Sequence, residues 1–188
     1  MAVPFRSDTR ITLSKSVYLY IAAMLLLLPF RLFLAIVFSA VLHEFFHAIS
    51  LKMMAVRVHS IHVGMHGTVM QTDAMSDKEE LLCALAGPLG GLLVTVLFRW
   101  FPVLALTSAV HAFYNLLPIY PSDGSRVLRS ITRLVIPGKI GDYIVYSAEI
   151  VTCSAIVALC VYGTRCYRLG MVPILFAAMV IHGVTKTK

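Results

Sequence analysis

Six apolar runs, separated by short polar segments, make up most of the sequence. They cover residues 17–28, 32–53, 81–98, 101–117, 143–162 and 169–184. A helix needs about 20 apolar residues to cross the hydrocarbon core of a bilayer, so the first run spans it only if tilted or extended. This pattern predicts an all-α polytopic membrane protein with about six transmembrane helices.

Residues 55–71, between the second and third runs, follow a different pattern. Apolar and polar side chains alternate here in two opposite phases, and Gly64 and Gly67 bracket a turn between them. Alternation around a glycine-containing turn predicts a small β-hairpin. At membrane depth, such strands must be covered by protein or face a water-filled cavity, because lipid cannot satisfy their backbone groups.

The amino-acid composition also indicates a membrane protein. Hydrophobic residues make up 59% of the 188 residues, charged residues make up 13%, and the mean hydropathy is +0.86. A soluble domain averages nearer half apolar and a quarter charged. We treat residues 1–188 as a single membrane-embedded domain. The N-terminal apolar run resembles a signal peptide, but we interpret it as a retained first span because more spans follow at once.

The distribution of basic residues favours the lipid bilayer as a partner and argues against nucleic acid. The net charge is +7, but the basic residues fall between apolar runs and form no patch with stacking aromatics. If the N-terminus is inside, twelve of the sixteen Lys and Arg residues lie in inner segments. The four outer residues are Arg31, Arg99, Arg165 and Arg168. The positive-inside rule then predicts that both termini are cytoplasmic.

The second apolar run carries an H-E-x-x-H motif at residues 43–47. Residues four apart lie on the same face of a helix, so His43 and His47 can bind one metal ion. Glu44 lies beside them and can take a proton from water, which is the arrangement of zinc hydrolases. The alternative is a chance match in which the two histidines simply pack. Ionisable groups inside an apolar span are costly, which favours a functional site.

A catalytic zinc ion needs a third protein ligand. Asp123 is the strongest candidate, because Pro118 and Pro121 end the fourth span just before it and Gly124 allows a turn immediately after it. We expect its carboxylate on irregular backbone at the same membrane face as the two histidines. An ordinary surface turn is the alternative. Weaker candidates are the hairpin histidines and a carboxylate in the fifth span: His59, His62, His66 and Glu149.

These motifs together resemble those of the site-2 proteases, which are intramembrane zinc metalloproteases. The resemblance rests on the H-E-x-x-H motif, on N-x-x-P-x-x-P-x-D-G at residues 115–124, and on Ala-Gly-Pro at residues 86–88. The short length and six spans resemble the branch of sporulation stage IV factor B proteases, without an appended sensing domain. The resemblance implies His43, His47 and Asp123 as zinc ligands, Glu44 as the catalytic carboxylate, and a bacterial cell membrane as the location.

One position departs from the family pattern. The family element A-G-P-x-x-N ends here in Gly91, where an asparagine is usual. The function of that amide must therefore be absent or supplied elsewhere. Gly87 and Gly91 also form a G-x-x-x-G pattern, which favours close packing of helices.

The resulting hypothesis is hydrolysis of a peptide bond in or next to a transmembrane segment of a membrane-associated protein, such as a pro-sigma factor, an anti-sigma factor or a remnant signal peptide. A regulatory membrane partner is compatible with such a role. Asn115 can bind substrate backbone or the developing oxyanion, or form a helix–helix hydrogen bond. The hairpin can pair with unwound substrate by β-addition. We expect His111 and His182, which lie within spans, to be packing or hydrogen-bonded residues. The alternative function is a non-hydrolytic metal-binding membrane protein or transporter.

Overall fold

The computed structural model describes residues 5–64, 67–136 and 138–167, together with residues 173, 174, 177, 178, 180 and 181. The chain divides into two compact units, residues 1–115 and 116–188. The first unit consists of one strand, two helices, a pair of strands and three further helical segments, in that order. These are β1 (Phe5–Leu13), α1 (Lys15–Leu27), α2 (Phe30–Met53), β2 (Val58–Gly64), β3 (Gly67–Thr72), α3 (Asp77–Leu93), a 3₁₀ helix (Val94–Arg99) and α4 (Pro102–Leu116). The second unit contains α5 (Asp123–Val135) and α6 (Lys139–Tyr167).

Among the described residues, three helical segments are long and apolar enough to cross a membrane. They are Phe30–Met53, Asp77–Arg99 and Lys139–Cys166, and they correspond to the second, third and fifth predicted spans. The first and fourth predicted spans correspond to the shorter helices α1 and α4, of 13 and 15 residues. The sixth predicted span, which includes His182, lies mostly outside the described residues.

The predicted β-hairpin is confirmed: β2 and β3 pair antiparallel. Gly67 has a φ of 119°, a conformation that other residues rarely adopt, so the turn requires a glycine at this position. In the part of the chain that the structure describes, a third strand, β1, joins the sheet parallel to β2 and gives the order β1-β2-β3. Sequence reasoning missed β1, because no apolar residue lies between Phe5 and Ile11 to alternate with polar ones, and because the strand pairs with a segment distant in the chain.

The end of α2 is a Schellman motif that directs the chain into β2. Ala55 adopts the left-handed conformation with a φ of 56°. The Val56 N–H donates to the Leu51 carbonyl over 3.0 Å, and the Ala55 N–H donates to the Lys52 carbonyl over 3.2 Å. Leu51 and Val56 then pack with Val58 and Cys83 in a buried cluster. This cluster fastens the sheet to α3 and to the C-terminal end of α2.

A capping box fixes the start of α3. The backbone N–H of Glu79 donates to the Ser76 hydroxyl, and the Glu79 carboxylate accepts from the Ser76 N–H over 2.8 Å. Asp77 and Glu80 also lie in the first turn, where negative charge stabilises the helix dipole. Pro88 lies inside α3 and has no N–H to donate to the preceding turn.

The conformation of Ala55 predicts opposite effects for two Ala→Gly substitutions. Ala55→Gly should raise the free energy of unfolding by about 1 kcal/mol, because glycine adopts the left-handed conformation without a steric cost. Ala40→Gly, inside the same helix, should lower it by about 1 kcal/mol. Unfolding in detergent with a chemical denaturant measures both values. A destabilising Ala55→Gly would contradict this account of the helix end.

Candidate metal centre

His43 and His47 lie on the buried face of α2, where they are 3% and 6% exposed. The other buried residues of this helix continue the same four-residue spacing: Ala35, Ser39 and Leu51. The Nε2 atoms of the two histidines are 3.1 Å apart, and the rings meet edge to face with their centroids 4.7 Å apart. The i, i+4 spacing of the motif therefore brings the two nitrogens together as predicted.

The tautomer of His47 is set by a hydrogen bond from the neighbouring helix. His47 Nδ1 donates to the backbone carbonyl of Cys83 in α3 over 2.7 Å. Its Nε2 is then left with a lone pair, directed towards the Nε2 of His43. Two imidazole ligands of a tetrahedral zinc ion lie about 3.3 Å apart. The donor types and their separation in the His43–His47 pair therefore fit zinc.

Gly87 brings the backbone of α3 against this histidine pair. A Cβ at position 87 would overlap the Nε2 of His47 and would lie 2.7 Å from the Nε2 of His43. A Cβ at Gly90 would likewise overlap the ring of Phe46. The glycines of the Ala-Gly-Pro-Leu-Gly segment thus provide the space in which the motif residues of α2 pack.

Gly91 has a different neighbour. A Cβ at this position would lie 3.3 Å from the Cβ of Ala112 and 3.4 Å from the backbone oxygen of Ser108, both in α4. Close helix packing, the interpretation that the G-x-x-x-G pattern favoured, therefore applies at Gly91. An asparagine, the residue usual in the family, would require α4 to move away.

Three further polar residues of the first unit bear on the histidine pair. They are Glu44 on α2, and His111 and Asn115 on α4. Glu44 is half-buried on α2, about 100° around the helix from His43. The His111 ring of α4 lies against His43, with the ring centroids 4.8 Å apart. Asn115 Nδ2 donates to the His111 carbonyl over 3.0 Å. This bond lies within α4 and is not the helix–helix bond that we considered.

Asp123, the predicted third ligand, belongs to the second unit and is the first residue of α5. The expectation of irregular backbone at Asp123 was wrong, because a helix begins there with Ser122 as its N-cap. Gly124 also serves a different purpose from the predicted turn. A Cβ at Gly124 would overlap the carbonyl oxygen of Leu116, so a side chain is excluded by the close approach of the preceding segment.

The Asp123 carboxylate is buried, and its Oδ1 lies 3.3 Å from Nη1 of Arg126. A helix N-terminus and a guanidinium both attract a negatively charged side chain, and a carboxylate is a usual metal ligand. Glu149, a weaker ligand candidate, is also buried in this unit. It accepts a hydrogen bond from the Ser125 hydroxyl, and its Oε1 lies 3.8 Å from Nη2 of Arg129. Glu149 therefore links α6 to α5.

The histidines of the hairpin have partners in and around the sheet. His59 Nε2 lies 2.7 Å from Oδ1 of Asp73. His62 Nδ1 lies 2.8 Å from the hydroxyl of Thr12 in β1. His66 lies outside the described residues.

Known proteins resemble this chain in both sequence and structure. It is 30% identical over 114 residues to a zinc metalloprotease of Methanocaldococcus jannaschii, with 53% of this chain and 34% of the relative covered. The chain thus spans about a third of the length of that curated relative. Its structure matches a site-2 protease from Methanocaldococcus jannaschii with a TM-score of 0.69 at 22% identity, covering 99% of this chain and 94% of the other. No protein-family model matches the chain.

The fold is that of a site-2 protease. The match confirms the predicted fold class, a membrane-embedded helical protein with a small sheet. The curated relative is a zinc metalloprotease and the fold match is a site-2 protease, the enzyme class and the family that the sequence motifs resemble.

The packing of α3 predicts that Gly87→Ala weakens metal binding while Gly91→Ala leaves it nearly unchanged. The new methyl group at position 87 would collide with both imidazoles at a cost of about 1–3 kcal/mol, equivalent to about a tenfold or greater loss of zinc affinity. At position 91 it would only touch Ala112. Zinc titration of both purified variants measures the difference. Equal affinities in the two variants would show that Gly87 does not provide space for the histidines.

Proposed function

We propose that this chain is an intramembrane zinc metalloprotease that hydrolyses a peptide bond in or next to a transmembrane segment of a membrane-associated protein. The observation that carries the proposal is the convergence of the His43 and His47 Nε2 atoms, 3.1 Å apart, on a helix apolar enough to span a membrane. A metal ion held by this histidine pair would lie inside the bilayer, where the transmembrane span of a substrate is also buried. The zinc metalloprotease among its relatives supports this choice.

His43, His47 and Asp123 would hold the metal. The two histidines supply neutral nitrogen donors, one of them oriented by the Cys83 carbonyl. Asp123 supplies a buried carboxylate at the start of α5, 3.3 Å from the Arg126 guanidinium. Two histidines and one carboxylate are a known ligand set of catalytic zinc sites, which leave a fourth position for water or substrate. A bound zinc ion supplies Lewis acidity, which lowers the pKa of water and polarises the scissile carbonyl.

Glu44 would act as general base and then as general acid. It directly follows the ligand His43, so its carboxylate can accept a proton from the attacking water. The same carboxyl group would deliver that proton to the departing amine. The C–N bond breaks, water adds across it, and the carboxylate is regenerated.

Asn115 would bind the substrate backbone or the developing oxyanion. One N–H of its amide donates to the His111 carbonyl, and the second N–H is the group that we assign to this contact.

The sheet would hold the substrate in an extended form. β3 lies at one edge of the β1-β2-β3 sheet, where its outer backbone groups can pair with an added strand. The buried cluster around Leu51 fastens the sheet to α2 one helical turn after His47. A transmembrane helix must be unwound before its peptide bonds can be hydrolysed, and strand addition next to the histidines stabilises that unwound form.

The location of the protein follows from the same proposal. We assign six spans with both termini in the cytoplasm of a bacterial cell, from the six apolar runs and the inner location of twelve of sixteen basic residues. The inner end of α2 then carries the histidines near the cytoplasmic face. A pro-sigma factor, an anti-sigma factor or a remnant signal peptide would each fit as a substrate. A membrane partner is the class of regulator that could reach it.

Glu44→Gln separates hydrolysis from metal binding. Zinc content should stay stoichiometric, while cleavage of a co-expressed membrane substrate should fall about 10²–10⁴-fold, because the amide cannot accept the proton. Glu80→Gln, in the first turn of α3, serves as the matched control and should cleave normally. Unchanged cleavage in Glu44→Gln would remove the proposed mechanism. Full metal retention without cleavage in the wild-type protein would favour the non-hydrolytic alternative.

Asp123→Ala tests the third ligand. Loss of one ligand should reduce zinc in the purified protein to well below one ion per chain, since catalytic sites hold zinc with three protein ligands. Asp142→Ala removes an exposed carboxylate from α6 and should keep the wild-type zinc content. Metal analysis by atomic emission measures both. Stoichiometric zinc in Asp123→Ala would exclude Asp123 as a ligand.

A further inference from the structure

We propose that His111 is a positioning residue for the metal ligand His43, acting through the packing of its ring. This inference rests on the proposed zinc site and adds to it a residue outside the recognised motifs. The His43 ring lies between two other imidazoles. Its centroid is 4.7 Å from that of His47, at an interplanar angle of 79°, and 4.8 Å from that of His111, at 63°.

The two metal-binding histidines are oriented in different ways. The His47 ring is fixed by the hydrogen bond from its Nδ1 to the Cys83 carbonyl, which defines its ring plane. The His43 ring has aromatic edge-to-face contacts on two sides, one with its fellow ligand and one with His111. Edge-to-face contacts favour particular ring orientations beyond the area that they bury. His111 thus restricts rotation of the His43 ring and keeps its Nε2 directed towards that of His47.

α4 approaches both α2 and α3 within one helical turn of His111. One helical turn before His111, the Thr107 hydroxyl lies 2.9 Å from the Val103 and Leu104 carbonyls of its own helix and 3.4 Å from the Ala35 carbonyl of α2. Ala35 and His43 lie two turns apart on the same face of α2. The Thr107–Ala35 and His111–His43 contacts therefore both involve that face. On another side, Gly91 of α3 lies against Ala112, the residue after His111. Both α2 and α3 therefore contact α4 close to His111.

Two substitutions of His111 distinguish an effect of its ring from an effect of its volume. His111→Leu keeps most of the volume but removes the ring, whereas His111→Phe keeps a ring but has no nitrogen. We expect about tenfold weaker zinc binding in His111→Leu, the size of effect typical of residues that orient a ligand. We expect His111→Phe to bind zinc within about twofold of wild type. Phe113→Ala, which removes an exposed ring from the same helix, is the matched control.

Two measurements on the purified proteins in detergent decide the matter. Competition with a chromophoric chelator gives zinc affinity, and the visible absorption of the cobalt-substituted protein reports the geometry of the ligands. The cobalt spectrum should change in His111→Leu and match wild type in His111→Phe and Phe113→Ala. A merely structural substitution would lower the unfolding temperature without changing the spectrum of the folded fraction.

Each other outcome overturns a specific statement. Wild-type affinity and spectrum in His111→Leu would show that the ring of His111 does not orient His43. Equal weakening in His111→Phe and His111→Leu would show that the imidazole nitrogens, and not ring packing, are what matters. Absence of metal binding in the wild-type protein would overturn the proposed zinc site itself, and with it the role of His111.

Discussion

The site depends on one contact between helices, the approach of the α3 backbone to the two imidazoles of α2. The hydrogen bond from His47 Nδ1 to the Cys83 carbonyl needs the two helices in close contact, and Gly87 permits it by having no side chain. The same contact fixes which nitrogen of His47 is available to a metal. Since a transmembrane helix offers few other polar partners, a backbone carbonyl of the neighbouring helix is a suitable acceptor.

Polar groups in the apolar helices occur where a partner from another segment is close. Glu149 of α6 accepts from Ser125 and lies near Arg129, both on α5, and His43 packs between His47 and His111. Burial in a low-dielectric environment makes each isolated polar group costly, so their partners bring the segments into a defined arrangement. These buried polar groups thus contribute to the specificity of the fold within each unit.

Strand formation next to the histidines depends on how α2 ends. The Schellman motif at Ala55 stops the helix two turns after His47, and the buried cluster of Leu51, Val56, Val58 and Cys83 joins the emerging strand to α3. α3 therefore contacts both the His43–His47 pair and the sheet. Cys83 has both functions in one residue, because its side chain packs in that cluster while its carbonyl orients His47. An extended substrate on the sheet would lie within a short distance of the catalytic groups.

The sequence by itself determined the features that depend on local spacing. The i, i+4 histidines, the apolar runs and the glycine-bracketed turn of the hairpin each follow from the period of a helix or strand, so they could be read without knowing what packs nearby. Tertiary structure decided the rest. The pairing of β1, the space provided by Gly87 and the contact of His111 with His43 all depend on segments distant in sequence. Such contacts leave no periodic pattern in the chain, because the two residues that form each contact lie in different helices or strands.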